Sequence, residues 1–264
     1  MIVYPVNALS GAQIISPHIL SFSNVNNIHH RYLKHQALFE PRYERLFETS
    51  GSFFNLIRID ATWENFIEGG ALIIAGTNCT QYSISLNKGN DVQFSITIAN
   101  LNLQNGIAII PIPLFSAVLG GGFRDFNRMN LRLITDNNVE EIYVDYIFIG
   151  KPVDLPRFRV EPTIDTQIRG FNQRTNNGQA FGTVLPTLDL FSASYMRIPQ
   201  DEKKIVDDYI QSVQTNIPHF IDIYPEARKA IPPKYVTLNK GISAMKRAES
   251  NFFWNYEMEW LEAR

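Results

Sequence analysis

The sequence lacks the features that mark several common classes of protein. It has a single cysteine, Cys79, so an internal disulfide is excluded, and the apolar neighbourhood favours a core position for this thiol. The formal net charge is -2, so there is no basic excess that would bind nucleic acid. The most apolar stretch, residues 108–123, contains two prolines and three consecutive glycines and falls short of the roughly 20 residues of a membrane span. The first residues resemble no signal peptide, so we expect a cytosolic chain.

No group of residues is suited to catalysis or to holding a metal or cofactor. His29, His30 and His35 come nearest to a metal site, but adjacent histidines on an extended chain point in opposite directions, and no carboxylate or thiolate recurs at ligand spacing. Glu257 and Glu259 share one face of a predicted strand, where a solvated face is favoured over an acid–base pair. We therefore predict a protein that is not an enzyme, with no catalytic residue, metal or cofactor.

The most regular pattern lies between residues 82 and 98. Apolar and polar residues alternate over 82–87 and again over 92–98, the period of a strand with one face in a core. The four residues between them, Lys88-Gly89-Asn90-Asp91, close turns readily, which predicts an antiparallel hairpin. Other apolar runs that predict strands are 56–59, 71–75, 107–110, 130–134 and 141–149. Such a series of short strands predicts a jelly-roll β-sandwich over residues 51–155.

The segments on either side of this sandwich have a different texture. Residues 1–50 are irregular, with only a weak helical pattern over 33–47, and we interpret them as an extended arm. The proline-containing segment 151–156 marks the other boundary, so residues 156–264 form a second, α+β domain. Within it we predict an exposed loop over 169–182, a helix over 199–215, and strands over 220–224, 235–238 and 252–260. The predicted fold is therefore mainly β, an N-terminal jelly-roll β-sandwich followed by a smaller α+β domain.

The last predicted strand has an aromatic face. Its alternate residues are Phe252, Trp254, Tyr256, Met258 and Trp260. This is more aromatic surface than one small sheet should leave exposed, so we expect a homo-oligomer that covers it.

Aromatic residues also supply the candidates for ligand binding. Trp63, Phe66 and Tyr82 could stack on a sugar ring if they lie on loops, because an aromatic ring offers a flat apolar face. Large aromatic side chains fill cores more often than they bind ligands. We retain Trp63 and Tyr82 as the candidate carbohydrate-binding residues, with core packing as the favoured alternative.

Two stretches resemble a known family. Leu56–Asp60 followed by Ala71–Asn78 resembles the early strands of galactose-binding-like (discoidin-type) jelly rolls of bacteriophage tail proteins, where an apolar strand ends in Gly-x-Asn. Leu131–Asp136 and Ile142–Gly150 resemble the closing strands of that domain. The remainder is similar in layout to tail-tip and baseplate proteins in which such a domain is joined to a small α+β module.

The resemblance implies a structural protein of the tail tip or baseplate of a tailed phage or prophage, located in the virion and assembled in the host cytoplasm. Its partners would then be other tail proteins, further copies of itself and a host surface glycan, with no nucleic acid and no membrane span. The alternative is a carbohydrate-binding module that docks a particle or an enzyme to a glycan.

Overall fold

The computed structural model describes residues 1–15, 37–39, 42–45, 53–113, 124–135, 142–158, 162–174, 180–214, 217–228, 230–248 and 251–263. Strands dominate it, as the sequence predicts. Within this part of the chain, no helix is both long enough and apolar enough to cross a membrane.

The strands are β1 (Ile2–Tyr4), β2 (Gln13–Ile15), β3 (Ala37–Phe39), β4 (Arg42–Arg45), β5 (Phe53–Gly69), β6 (Ala71–Thr77), β7 (Gln81–Lys88), β8 (Asp91–Asn100), β9 (Ile107–Pro111), β10 (Arg124–Ile134), β11 (Ile142–Gly150), β12 (Val153–Asp154), β13 (Thr163–Arg174), β14 (Ala180–Ile198), β15 (His219–Asp222), β16 (Lys234–Ala248) and β17 (Asn251–Glu262). The α-helix α1 spans Gln200–Val213, and short 3-10 helices span Ala8–Gly11 and Pro225–Ala227.

The chain divides into two compact units. The first, here called the sandwich unit, comprises Val6–Pro152 and Arg228–Pro232. The second, the mixed unit, comprises Met1–Pro5, Val153–Ala227 and Pro233–Arg264.

The sandwich unit is a jelly-roll β-sandwich. One antiparallel sheet has the order β2-β5-β10-β7-β8, with β4 also paired to β5, and the other has the order β3-β11-β6-β9. The chain passes repeatedly between the two sheets, and their inner faces share one hydrophobic core. Cys79 lies in this core, where burial raises the pKa of its thiol to about 12. The predicted core position of Cys79 is therefore confirmed.

The predicted hairpin is confirmed as β7 and β8, with one correction. Lys88 pairs with Asp91 across a turn in which Gly89 has a φ of 61°, a conformation that glycine adopts without strain. Phe94 and Ile96 pack against the core as predicted, but Val92 and Ile98 are 61% and 39% exposed. The pairing of β7 with β8 shifts register twice, so the strict alternation on β8 does not persist to its ends.

The mixed unit is an α+β unit with one seven-stranded antiparallel sheet of order β12-β1-β15-β16-β17-β14-β13. The predicted helix is confirmed as α1, which packs against β16 and β17. Tyr256, Met258 and Trp260 of β17 are each 1% exposed and share a core with Val206 and Tyr209 of α1. This part of the aromatic face is therefore covered within the chain, so it provides no reason to expect a homo-oligomer.

Two local predictions are wrong. The predicted loop over 169–182 is mostly strand, because β13 and β14 pair from Arg169 opposite Leu185 to Arg174 opposite Ala180. Inter-strand pairing overrides the low β propensity of its Asn, Gln and Gly residues. The weak helical pattern over 33–47 is strand in its described residues, since β3 pairs with β11 and β4 with β5.

The segment 1–50 also differs from an extended arm. In its described residues, β1 pairs with β12 and β15, and β2 and β4 pair with β5. These strands are short, so their sequence periodicity is too brief to detect.

A buried hydrogen-bonded chain lies in the mixed unit. His219 is 1% exposed, and its Nδ1 is 3.0 Å from the carbonyl oxygen of Ile217, so Nδ1 carries the proton and donates. Its Nε2 then accepts from the hydroxyl of Tyr209 at 2.6 Å, and Trp260 Nε1–H donates to the same hydroxyl oxygen at 2.7 Å. Burial raises the pKa of Tyr209, which keeps this donor protonated, and lowers the pKa of His219 to about 4.

Candidate functional site

A wide bulge interrupts β5 in the sandwich unit. Thr62 pairs with Arg128 of β10, and Ile67 pairs with Phe126, so the four residues 63–66 lie opposite the single residue Asn127. The surplus residues cannot stay in register with β10 and must arch away from it. Bulges of this kind redirect side chains from their regular alternation.

Trp63 anchors the bulge. Its indole ring is 7% exposed and packs edge-to-face on Phe126 at a centroid distance of 5.6 Å. Its Nε1–H donates to the carbonyl oxygen of Ala8 at 2.7 Å. The start of the first 3-10 helix is therefore fixed against the bulge.

Asn7 anchors the same 3-10 helix from the other side. Its Oδ1 accepts from the backbone N–H of Leu9 at 3.2 Å, which caps the helix, and from that of Ile149 in β11 at 3.1 Å. Its Nδ2 donates to the carbonyl oxygen of Ile147 at 2.9 Å. One side chain thus joins residues 7–9 to the opposite sheet.

A cleft of 720 Å³ lies between these anchored residues and the bulge. This bulge cleft is lined by Val6, Asn7, Ala8, Ala12, Gln13, Thr62, Trp63, Glu64, Asn65 and Ile67. Val6, Ala8, Ala12, Trp63 and Ile67 supply its apolar surface.

The polar side chains of the bulge cleft are uncommitted. Gln13, Thr62, Glu64 and Asn65 are all exposed, and none has a hydrogen-bond or ion-pair partner for its side chain in the part of the chain that the structure describes. Among the described residues that line the cleft, Glu64 carries the one charge. Apolar surface with a few free polar groups is the usual make-up of a small-molecule site.

Phe66, at the end of the bulge, is 55% exposed. The Nζ of Lys88 lies over its ring, 4.8 Å from the centroid, and also pairs with Asp125 at 2.5 Å. The hydrogen bond from Lys88 lowers the pKa of Asp125. Lys88 is therefore committed to structural contacts, whereas much of the Phe66 ring remains open to solvent.

The structure places the two candidate carbohydrate-binding aromatics in the core. Trp63 is 7% exposed and Tyr82 is 5% exposed, and both belong to the shared sandwich core. Neither presents a free ring face to solvent, because both occupy core-facing positions of their strands. Phe66 is the exposed member of the original three. His29, His30 and His35 lie outside the described residues, and the described part of the chain contains no group of His, Cys, Asp or Glu placed to hold a metal ion.

Sequence reasoning missed the polar residues of the bulge cleft. The inward positions of β5 run Ile57, Ile59, Ala61 and Trp63, and the next inward position is Asn65. A polar residue at a position where the alternation requires an apolar one indicates a bulge in the strand. The sequence around Gln13 contains no comparable pattern, because β2 has only three residues.

Comparisons with known proteins find remote likenesses only. No protein-family model matches the chain. No curated protein matches it either. Among solved structures, the chain is similar to the family 32 carbohydrate-binding module of Clostridium perfringens NanJ in complex with galactose, with a TM-score of 0.39 and 10% identity over 56% of this chain and 98% of that one. The lectin domain of lectinolysin complexed with Lewis B antigen gives a TM-score of 0.37 and 7% identity over 55% and 99%. Discoidin II of Dictyostelium discoideum gives a TM-score of 0.31 and 10% identity over 97% of this chain and 91% of that one.

Proposed function

We propose that the sandwich unit is a non-catalytic carbohydrate-binding module that holds a sugar in the bulge cleft. The observation that carries this proposal is the composition of the cleft, in which exposed, uncommitted polar side chains surround apolar surface. Its volume of 720 Å³ lies within the roughly 300–1,000 Å³ of small-molecule sites.

The chemistry of the lining suits a sugar. A sugar hydroxyl both donates and accepts hydrogen bonds, and the amides of Gln13 and Asn65 do the same, while the carboxylate of Glu64 only accepts. Val6 and Ala12 offer apolar contacts for the C–H groups of a ring. Because Asn7 and Trp63 already fix the cleft wall, binding orders little of the backbone.

Replacing Asn65 with alanine should weaken glycan binding about tenfold. The side chain contributes one or two hydrogen bonds of about 0.5–1.5 kcal/mol each, and about 1.4 kcal/mol is a factor of ten in affinity. The full chain is screened on a glycan array, and the tightest ligand is then titrated calorimetrically into the wild type and Asn65→Ala. Asn102→Ala is the matched control, since Asn102 is exposed and lies outside the cleft.

Two outcomes would contradict the proposal. One is the absence of saturable binding to every glycan, and the other is an equal loss of affinity in Asn65→Ala and Asn102→Ala. A further variant, Phe66→Ala, tests the location of the site. If it abolished binding while Asn65→Ala had no effect, the sugar would bind at the Phe66 ring and not in the bulge cleft.

We also propose a role for the whole chain as a structural component of a phage tail tip or baseplate. The sequence resemblance supports it, as does the ribbon formed by residues 169–174 and 180–185. β17 pairs with β14 only from Leu190 onwards, so this ribbon has no third strand among the described residues. A two-stranded ribbon is marginally stable alone. A neighbouring tail protein or another copy of the chain would stabilise it.

This structural role predicts that the chain is part of the virion. Phage particles induced from the source cells and purified on a density gradient should contain its peptides at a fixed ratio to known tail proteins, as measured by mass spectrometry. Its recovery only from the particle-free fraction, together with a strictly monomeric state in light scattering alone and with tail proteins, would contradict this role.

A further inference from the structure

Arg128 does not itself line the bulge cleft but lies beside a residue that does. It is the cross-strand partner of Thr62, which lines the cleft. Met129 and Ala61 are fully buried, so Arg128 and Thr62 both lie on the outer face of the sheet. Directly opposed residues on one face have Cβ atoms about 4.5–5.5 Å apart. The guanidinium therefore extends from a position next to the cleft.

Arg128 differs from its neighbouring cations in having no ionic partner. Arg58 pairs with Asp60 at 2.6 Å, Lys88 with Asp125 at 2.5 Å, and Lys151 with Glu68 at 2.7 Å. Arg128 is exposed and makes no ion pair or side-chain hydrogen bond within the described ranges of the chain.

Glu64, two residues beyond Thr62 in β5, is an unpaired carboxylate, but it makes no ion pair with Arg128 within the described residues. On β7 Arg128 lies opposite Asn87, which is uncharged. The other acid two residues from Thr62 in β5 is Asp60, which already pairs with Arg58 and accepts a hydrogen bond from Asn130 Nδ2 at 2.7 Å. The N–H groups of the guanidinium are therefore available to a ligand, and their geometry allows two parallel hydrogen bonds with a carboxylate.

We infer that the bulge cleft takes an acidic glycan, with Arg128 binding the carboxylate of a sugar acid whose neighbouring residue occupies the cleft. This inference rests on the proposed function of the cleft. Arg128 lies opposite Thr62 on β10 and Glu64 lies two residues beyond Thr62 in β5, so their opposite charges would also orient the ligand. The carboxylate is held on the Arg128 side, and neutral hydroxyl groups donate to Glu64.

The test compares a ligand that carries ionised carboxylates with one in which they are neutral methyl esters. Trigalacturonate and its neutral methyl ester are titrated into the full chain at one salt concentration. The wild type should bind the acid about tenfold more tightly than the ester, because charge-assisted hydrogen bonds are stronger than neutral ones and about 1.4 kcal/mol corresponds to this factor. Arg128→Gln should bind the two ligands equally, with its affinity for the ester unchanged. Arg128→Lys should keep part of the preference for the acid, because the ammonium group has the charge but cannot form two parallel hydrogen bonds with a carboxylate.

Arg157→Gln is the matched control. It removes the same charge from an exposed position in the mixed unit and should keep the wild-type preference. Equal affinity of the wild type for acid and ester would overturn the inference and leave the cleft as a site for neutral sugars. Binding of neither ligand, together with a blank glycan array, would instead overturn the proposed function. A preference for a sulfated over a carboxylated trisaccharide would overturn the assignment of a sugar acid.

Discussion

Lowering the pH from about 6.5 to about 4 should remove roughly 3 kcal/mol from the stability of the mixed unit through His219 alone. His219 is buried and neutral in the folded protein, where burial lowers its pKa from the ordinary value of 6.5 to about 4. In this window the unfolded chain binds a proton that the folded chain does not. The stabilisation is therefore complete above about pH 6.5 and is lost as the pH falls towards the folded value.

The measurement is urea unfolding of the full chain across this pH window. In His219→Gln the free energy of unfolding should fall less steeply with decreasing pH than in the wild type, because glutamine remains neutral throughout. Carboxylates titrate in both proteins, so the difference between the two slopes isolates His219. An identical pH dependence of the free energy of unfolding in the two proteins would contradict the prediction. Should the variant fail to fold, an NMR titration of the His219 Cε1 proton in the wild type gives the same answer, and a pKa near 6.5 would count against it.

Asn7→Ala should lower the free energy of unfolding of the sandwich unit by about 2 to 4 kcal/mol. Loss of a helix cap costs about 1 kcal/mol, and each buried backbone group left without a partner adds about 1–3 kcal/mol. The groups affected are the N–H of Ile149 and the carbonyl oxygen of Ile147. Because Asn7 fixes one wall of the bulge cleft, glycan binding should weaken in the same variant.

Chemical denaturation followed by circular dichroism measures this effect. Asn7→Asp retains both acceptor bonds through Oδ1 but sets a carboxylate oxygen against the carbonyl oxygen of Ile147, so its stability relative to Asn7→Ala weighs the acceptor bonds against this repulsion. Asn102→Ala again serves as the control for loss of an exposed asparagine. The prediction fails if Asn7→Ala and Asn102→Ala unfold at the same denaturant concentration.

The sequence allowed the regular parts of the fold to be predicted for identifiable physical reasons. The hairpin of β7 and β8 has a strict period of two and a glycine at the turn, and α1 has apolar residues at helical spacing behind Asp201 and Glu202. Residues 169–182 could not be predicted as strand, because their conformation depends on pairing between β13 and β14 and not on local propensity. The same holds for β1 and β2, which are too short to show a period.

The candidate site was harder to predict than the fold. Aromatic residues are visible in a sequence, but their exposure is not, and Trp63 and Tyr82 lie in the core. Gln13 and Asn65 are separated by many residues and line the same cleft only because β2 pairs with β5 beside the bulge. Arg128 makes no ion pair among the described residues, and this depends on where the carboxylates lie in three dimensions, which the sequence does not show.

The most direct test of a sugar site in the bulge cleft is an NMR titration of the ¹⁵N-labelled full chain with the tightest glycan from the array. Amide shifts should change at Ala12, Gln13 and residues 62–65, saturate with ligand, and disappear in Asn65→Ala. Shifts that saturate only on β8 or in the mixed unit, with these cleft amides unmoved, would contradict the account.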